Sequence, residues 1–247
     1  MEMYDYLTKN FVIIGHRGLP EKYPENTEIS FKNAFNYTDA VELDVHLSAD
    51  GGVYIVHDFN LKRLTGNDIN IENLNSSEID RLNIKGFKIP RLDYILKTYH
   101  EKYFFIELKT IDDSGSMVYN NIVTKTLEII KNTGMKDHVC VISFNPFSLR
   151  EMHALDDSIM LGLDYCDLSE KYMGKLNSVD LRELGISVYI PEYKNDKIDC
   201  LIKLRSLGFI VIPWTVDNYV DAVKIKNAGL NGIITNRADV MASMLKL

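Results

Sequence analysis

Three cysteines in 247 residues, Cys140, Cys166 and Cys200, are too few, too widely spaced and odd in number for a disulfide framework or a Cys-x-x-Cys metal knuckle. They read as ordinary buried small residues. Basic side chains are outnumbered, 28 Lys and Arg against 35 Asp and Glu, for a formal net charge of -7. That deficit argues against a nucleic-acid partner held by counterion release, so any anionic ligand must be gripped by local cations. Long apolar runs are missing too. No stretch approaches the ~20 residues of a membrane span, and the opening MEMYDYLTKNFVIIGHRG has no signal-peptide core. A reducing, cytoplasmic setting is the simplest expectation, and the sequence leaves a homo-oligomer open. No Pro/Gly/Ser linker or low-complexity tract divides the chain, so residues 1–247 are read as a single domain.

What is present has a rhythm. Short β-branched and aromatic runs at 12–15, 40–45, 103–108, 139–143, 159–163, 186–190, 209–214 and 232–235 read as strands. Segments with helical spacing of apolar residues lie at 28–35, 92–99, 118–131, 146–155, 169–184, 198–207, 220–228 and 238–245. Eight strand-then-helix units in this length predict an α/β fold of the (β/α)8 TIM-barrel type. A further strand at 53–56, after Asp50-Gly51-Gly52, predicts a hairpin behind the second strand. Residues 59–90, rich in Asn and Ser, read as a small insertion at the barrel mouth with too few apolar residues for a core of its own.

The strongest local signal is Val41-Glu42-Leu43-Asp44-Val45, two carboxylates embedded in an apolar strand. Alternation puts Glu42 and Asp44 on one face and the three apolar residues on the other. In a barrel the acids then enter the interior near the rim, where paired like charges are costly without a cation. An early strand end with both acids solvated is the plain alternative. Phe105-Ile106-Glu107-Leu108-Lys109 repeats the pattern, with Glu107 and Lys109 sharing a face. Glu42, Asp44 and Glu107 suit a hard divalent cation, Mg²⁺ or Ca²⁺ with Mn²⁺ as a further choice, better than zinc. Lys109 reads as a fixed positive contact for substrate or, more simply, as a partner of Glu107.

Two histidines, His16 and His57, fall directly after strands beside this cluster and read as a general acid and general base pair. His46 shares the alternation of the two acids but is expected beyond the rim, and His100, His138 and His153 on the surface. Arg17, next to Gly18, is placed to reach a phosphate oxygen or to pair with a neighbouring acid. Asn26 or Thr27 reads as a helix N-cap, and Glu25 and Asn26 as inward partners of the cation or of Arg17. Trp214 reads as an apolar wall of the pocket or as plain core.

In combination these pieces resemble the glycerophosphodiester phosphodiesterase family. The carriers, in the family's order, are His16-Arg17-Gly18, Pro24-Glu25-Asn26-Thr27, Glu42-Leu43-Asp44-Val45, Asp50-Gly51, His57-Asp58, Ile106-Glu107-Leu108-Lys109, Ser143-Phe144, Trp214-Thr215 and Gly232-Ile233-Ile234-Thr235. The resemblance implies a TIM barrel with an insertion after the second strand, and hydrolysis of small glycerophosphodiesters to glycerol 3-phosphate and an alcohol. It further implies metal binding by Glu42, Asp44 and Glu107, proton transfer by His16 and His57, and phosphate stabilisation by Arg17 and Lys109. The family's proposed route runs through a cyclic phosphate opened by water. Two departures stand out: Asn236 where an aspartate usually follows the threonine, and Asp217 where Asn is frequent after Trp-Thr-Val. Both are expected to bear on headgroup selectivity. Rival readings are a barrel phospholipase on intact lipid, a silent metal- or metabolite-binding barrel, and a glycosidase using Glu42 and Glu107.

Overall fold

The computed structural model describes residues 1–112, 115–118, 121–166, 178–193 and 198–246. Its main sheet contains β1 (Val12–Gly15), β2 (Ala40–Leu47), β3 (Val53–Ile55), β6 (Tyr103–Leu108), β7 (Val139–Ser143), β8 (Met160–Tyr165), β9 (Ile186–Pro191), β10 (Ile210–Val211) and β11 (Gly232–Thr235), while β4 (Asn83–Ile84) and β5 (Phe87–Lys88) form a separate hairpin. Eight of these run parallel in the order β10-β9-β8-β7-β6-β2-β1-β11. The ring closes between its ends through Ile234 N–H to Pro213 O at 3.0 Å and Val216 N–H to Ile234 O at 2.9 Å. This nearly closed eight-stranded barrel is the expected TIM architecture. The extra strand β3 pairs antiparallel with the end of β2, as the Asp50-Gly51 turn predicts.

Strand chemistry explains the layering. Val41, Leu43 and Val45 of β2, with Ile106 and Leu108 of β6, pack outward into one large cluster under the helices. Ile14, Phe105, Cys140, Ile142, Val188, Ile190, Ile210 and Ile234 fill the barrel itself. The register fixes the height of the polar residues, because Asp44 sits beside Glu107, and Glu42 beside Phe105 one layer below.

Several expectations need correction. The seventh strand, read over 209–214, is a regular ladder only over Ile210–Val211, although Ile212 N–H and Trp214 N–H still bond Tyr189 O and Pro191 O of β9. The helix read at 118–131 starts at Ile122 and runs to Thr133, where Gly134 at φ 70 ends it. Much of the helix read at 169–184 lies outside the described residues; Ser178–Glu183 is helical. A helix that the sequence reading missed, Met3–Lys9, sends Met3 and Leu7 into the barrel-filling cluster at the end opposite the acids. Tyr6 stacks on Tyr103 at 4.1 Å and Asn231 donates to Leu7 O, which hold this helix in place. The insertion does have a buried cluster: Leu61, Ile71, Leu74, Ile79, Ile84 and Ile89 pack with Tyr54 and Val56. It borrows that apolar surface from the β3 segment rather than supplying it all itself. Of the cysteines only Cys140 is buried; Cys166 is half-buried and Cys200 is exposed. His138 stacks on Tyr103 and His153 lies under Gly185, so neither is simply a surface residue, whereas His100 is exposed. Among the described residues no helix is long and apolar enough to cross a membrane.

Candidate active site

At the C-terminal end of the parallel strands a cavity of about 350 Å³ opens, lined by His16, Arg17, Glu42, His57, Glu107 and Lys109 among others. The first turn after β1 places His16 and Arg17. Arg17 takes a left-handed φ of 53 and Gly18 one of 91, where any side chain would also collide with Ser30. That tight turn aims the backbone N–H of Arg17 at Glu42 Oε2, 3.0 Å away.

Glu42, Asp44 and Glu107 converge, each offering a ligand oxygen within 4.8 Å of the others, and all three are buried. Burial, then the charges of Asp44 and Glu107, push Glu42 well above the ordinary carboxylate range. Glu107 is raised by burial despite its bond to Lys109 Nζ at 2.9 Å. Burial opposes ionisation of Asp44 as well, but Arg17, His57, Lys109 and the amide of Asn26 hold it well below its usual range. Asp44 Oδ1 accepts no hydrogen bond although it is fully buried. A repelling carboxylate cluster with an orphaned inward oxygen is a donor set that fits one hard divalent cation.

Around the cluster the sequence-derived residues fall as follows. Asn26, at φ 56, turns inward and donates from Nδ2 to Asp44 Oδ2 at 2.7 Å, leaving Thr27 as the N-cap that accepts from Ser30 N–H. Glu25 accepts from Arg17 Nη1 at 2.9 Å. Lys109 bonds Glu107 and lies 3.7 Å from Asp44, and these two acids raise its pKa against the effect of burial. Trp214 stands on the cavity wall, its Nε1–H bonded to Ile190 O at 3.0 Å and its ring edge-on to Phe144 at 5.6 Å. His46 is a correction: it is fully buried, not beyond the rim, because its Nε2 bonds His57 O at 3.1 Å and its ring packs edge-on against Phe59.

Asp164 was missed. It is buried at the end of β8, lines the cavity, and its Oδ2 has no hydrogen-bond partner. Burial, then the nearby Glu107, raises its pKa. The alternation Gly162-Leu163-Asp164 carried the same signal as the acids of β2, one residue past the end assigned to that strand.

The two histidines differ in what stands behind them. His57 Nδ1 faces Asp58 Oδ1 at 2.8 Å. His16 Nδ1 faces Asn236 Oδ1 at 2.7 Å, and Asn236 in turn donates its Nδ2 and backbone N–H to the two carboxylate oxygens of Asp217, both at 2.8 Å. A carboxylate only accepts, so Asn236 must present its oxygen to His16. His16 Nδ1 therefore carries the hydrogen, and Nε2 turns a lone pair into the cavity. Burial, then Arg17, lowers the His16 pKa to about 4. The two departures from the family pattern are thus one feature, a contacting Asp217–Asn236 pair behind His16.

This arrangement makes a sharp prediction. Asn236→Asp alone places two carboxylates face to face and should lower kcat by ~10-fold or more. Adding Asp217→Asn should recover most of the loss, because the exchanged pair rebuilds the bond. Steady-state kinetics of the two single variants and the double variant check this; losses that simply multiply would show that the pair does not act as a unit.

Comparison with known proteins agrees with this geometry. Residues 16–240 match the model of the glycerophosphoryl diester phosphodiesterase family. A glycerophosphodiester phosphodiesterase of Caldanaerobacter subterraneus is 29% identical over 245 residues, covering 95% of this chain and 98% of that protein. The crystal structure of a putative glycerophosphoryl diester phosphodiesterase from Silicibacter pomeroyi superposes with a TM-score of 0.84 at 21% identity, over 96% of this chain and 95% of that one. A phosphodiesterase of Oleispira antarctica, solved with the product sn-glycerol-3-phosphate, gives 0.83 at 22% identity, over 98% of this chain and 99% of that one. At such identities the structures speak for the barrel, and the family match across the chain speaks for kinship. The chain belongs to the glycerophosphoryl diester phosphodiesterase family.

Proposed function

We propose that this protein hydrolyses small glycerophosphodiesters to glycerol 3-phosphate and an alcohol, using Glu42, Asp44 and Glu107 to hold a divalent cation, Mg²⁺ or Ca²⁺ with Mn²⁺ also suited. The observation that carries the reading is the meeting, at one barrel end, of a buried carboxylate triad, two half-buried cations and two histidines with separately fixed ring nitrogens. A cation held by these three carboxylates would supply positive charge to offset that of the phosphate and would favour ionisation of the attacking hydroxyl.

The chain's own groups do the rest. Arg17 and Lys109 are half-buried cations whose positive charge is secured by the surrounding acids, and they bind the non-bridging phosphate oxygens. His16 is held neutral, with Nε2 open to the cavity, and serves as the base toward the glycerol hydroxyl that attacks phosphorus; water then opens the cyclic phosphate so formed to give glycerol 3-phosphate. His57 has the carboxylate of Asp58 at Nδ1, which fixes the orientation of its ring, and it delivers a proton to the departing alcohol. Trp214 and Phe144 form the apolar wall on which the substrate lies. Two inward cations suit a phosphate better than a sugar, which disfavours the glycosidase reading.

The test is a panel of glycerophosphodiesters assayed for glycerol 3-phosphate release with Mg²⁺, Ca²⁺, Mn²⁺ or chelator. Release that needs one of the cations is expected. No release from any member with any cation would leave a silent barrel.

A further inference from the structure

The ion pairs behind the two arms of the site meet in one side chain that the proposed reaction does not use. Arg63 lies in the short insertion helix Lys62–Thr65. Its Nε and Nη2 donate to the two carboxylate oxygens of Asp58 at 2.6 and 2.8 Å, and its Nη1 and Nη2 donate to those of Glu25 at 3.0 and 2.8 Å. Each carboxylate also holds a group that lines the cavity. Asp58 Oδ1 bonds His57 Nδ1 at 2.8 Å, and Glu25 Oε1 accepts from Arg17 Nη1 at 2.9 Å.

We infer that Arg63 is a positioning residue that ties His57 and Arg17 into one frame, so that the insertion aligns the proton donor with the phosphate clamp without touching the phosphate itself. This rests on the roles proposed above for His57 and Arg17. An isolated ion pair at the surface contributes little, and the Arg63 side chain is 52% exposed. Its partners are not: the side chains of Asp58 and Glu25 are 17% and 18% exposed. Four charge-assisted bonds from one planar group onto two such carboxylates are the networked exception. Remove the guanidinium and Asp58 and Glu25 lose their common cation, leaving His57 and Arg17 each tethered to a carboxylate free to turn toward water. A lysine carries the charge but not the fork needed to span both acids. Arg63 has no place in a buried cluster, so its loss leaves the packing of the insertion intact.

The experiment measures kcat and KM of metal-saturated enzyme on glycerophosphocholine for wild type, Arg63→Ala, Arg63→Lys, the pair Glu25→Gln/Asp58→Asn and the triple variant. Arg63→Ala is expected to lose ~10–100-fold in kcat. Millimolar guanidinium should restore a sizeable part of that loss, and Arg63→Lys should stay well below wild type. Arg63→Ala should cost less than ~2-fold further when Glu25 and Asp58 have already been changed. A kcat for Arg63→Ala within twofold of wild type overturns the inference, as does a loss that guanidinium cannot touch and that multiplies in the triple variant. Should Arg63→Ala fail to fold, folded Arg63→Lys with wild-type kcat overturns it equally. An inactive wild type removes the proposed function and this inference together, whereas active wild type with active Arg63→Ala removes only the inference.

Discussion

His16→Ala and His57→Ala are each expected to lower kcat on glycerophosphocholine by ~10²–10⁴-fold, the range for loss of a positioned proton-transfer group. The two losses should differ in kind. If His57 protonates the departing alcohol as proposed, its replacement should matter far less when that alcohol is p-nitrophenol, which leaves without a proton. With His16 acting on the attacking oxygen, as proposed, its variant should stay slow on both substrates. Parallel assays of both variants on choline and p-nitrophenyl esters of glycerol phosphate read this directly. Identical leaving-group sensitivity would reverse or dissolve the assignment, and near-normal turnover in both variants would remove the mechanism.

The second large effect concerns the cation. Glu107→Gln is expected to weaken divalent-ion affinity by at least ~10²-fold, since ligand charge count sets affinity at oxygen sites. Titration calorimetry should also detect protons leaving the wild type on binding. Glu42 and Glu107 have raised pKa values without the ion, Glu42 mainly through burial and its acidic neighbours, and both must ionise to bind. The sign follows: protons compete with the cation, so affinity should rise with pH until both acids are ionised, then level off. Heat independent of buffer ionisation enthalpy, or full affinity in Glu107→Gln, would count against the triad. Chelation should abolish turnover in wild type, and re-addition of the ion should restore it.

How far the sequence reveals this molecule depends on the range of the interactions. Alternation along a strand is local, so the inward face of Glu42 and Asp44 and that of Glu107 could be read directly, and strand–helix rhythm carried the barrel. The register that sets Asp44 beside Glu107 is consistent with that reading but is a property of two strands far apart in the chain. Asp164 obeys the same alternation but lies one residue beyond the strand read over 159–163, which in the structure runs to Tyr165. Arg63 left no trace of its kind, since nothing about a polar insertion says which distant carboxylates it will reach. The Asp217–Asn236 pair showed itself as two separate oddities, and only their contact turned them into one. His46 failed for a related reason: the β2–β3 hairpin folds Phe59 and the His57 carbonyl over it, covering a side chain that strand position alone leaves at the edge. The opening helix escaped because two apolar residues spaced four apart are too little pattern over so short a segment.

That opening helix has a bearing on traffic. With Met3 and Leu7 packed under the residues that fill the barrel, the described residues leave the cavity open at the acid end, so what enters there is expected to leave there. Two fragments depart from each turnover. If Arg17 and Lys109 bind phosphate as proposed, the uncharged or cationic alcohol is expected to go first and the doubly ionised fragment, which they hold, to go second.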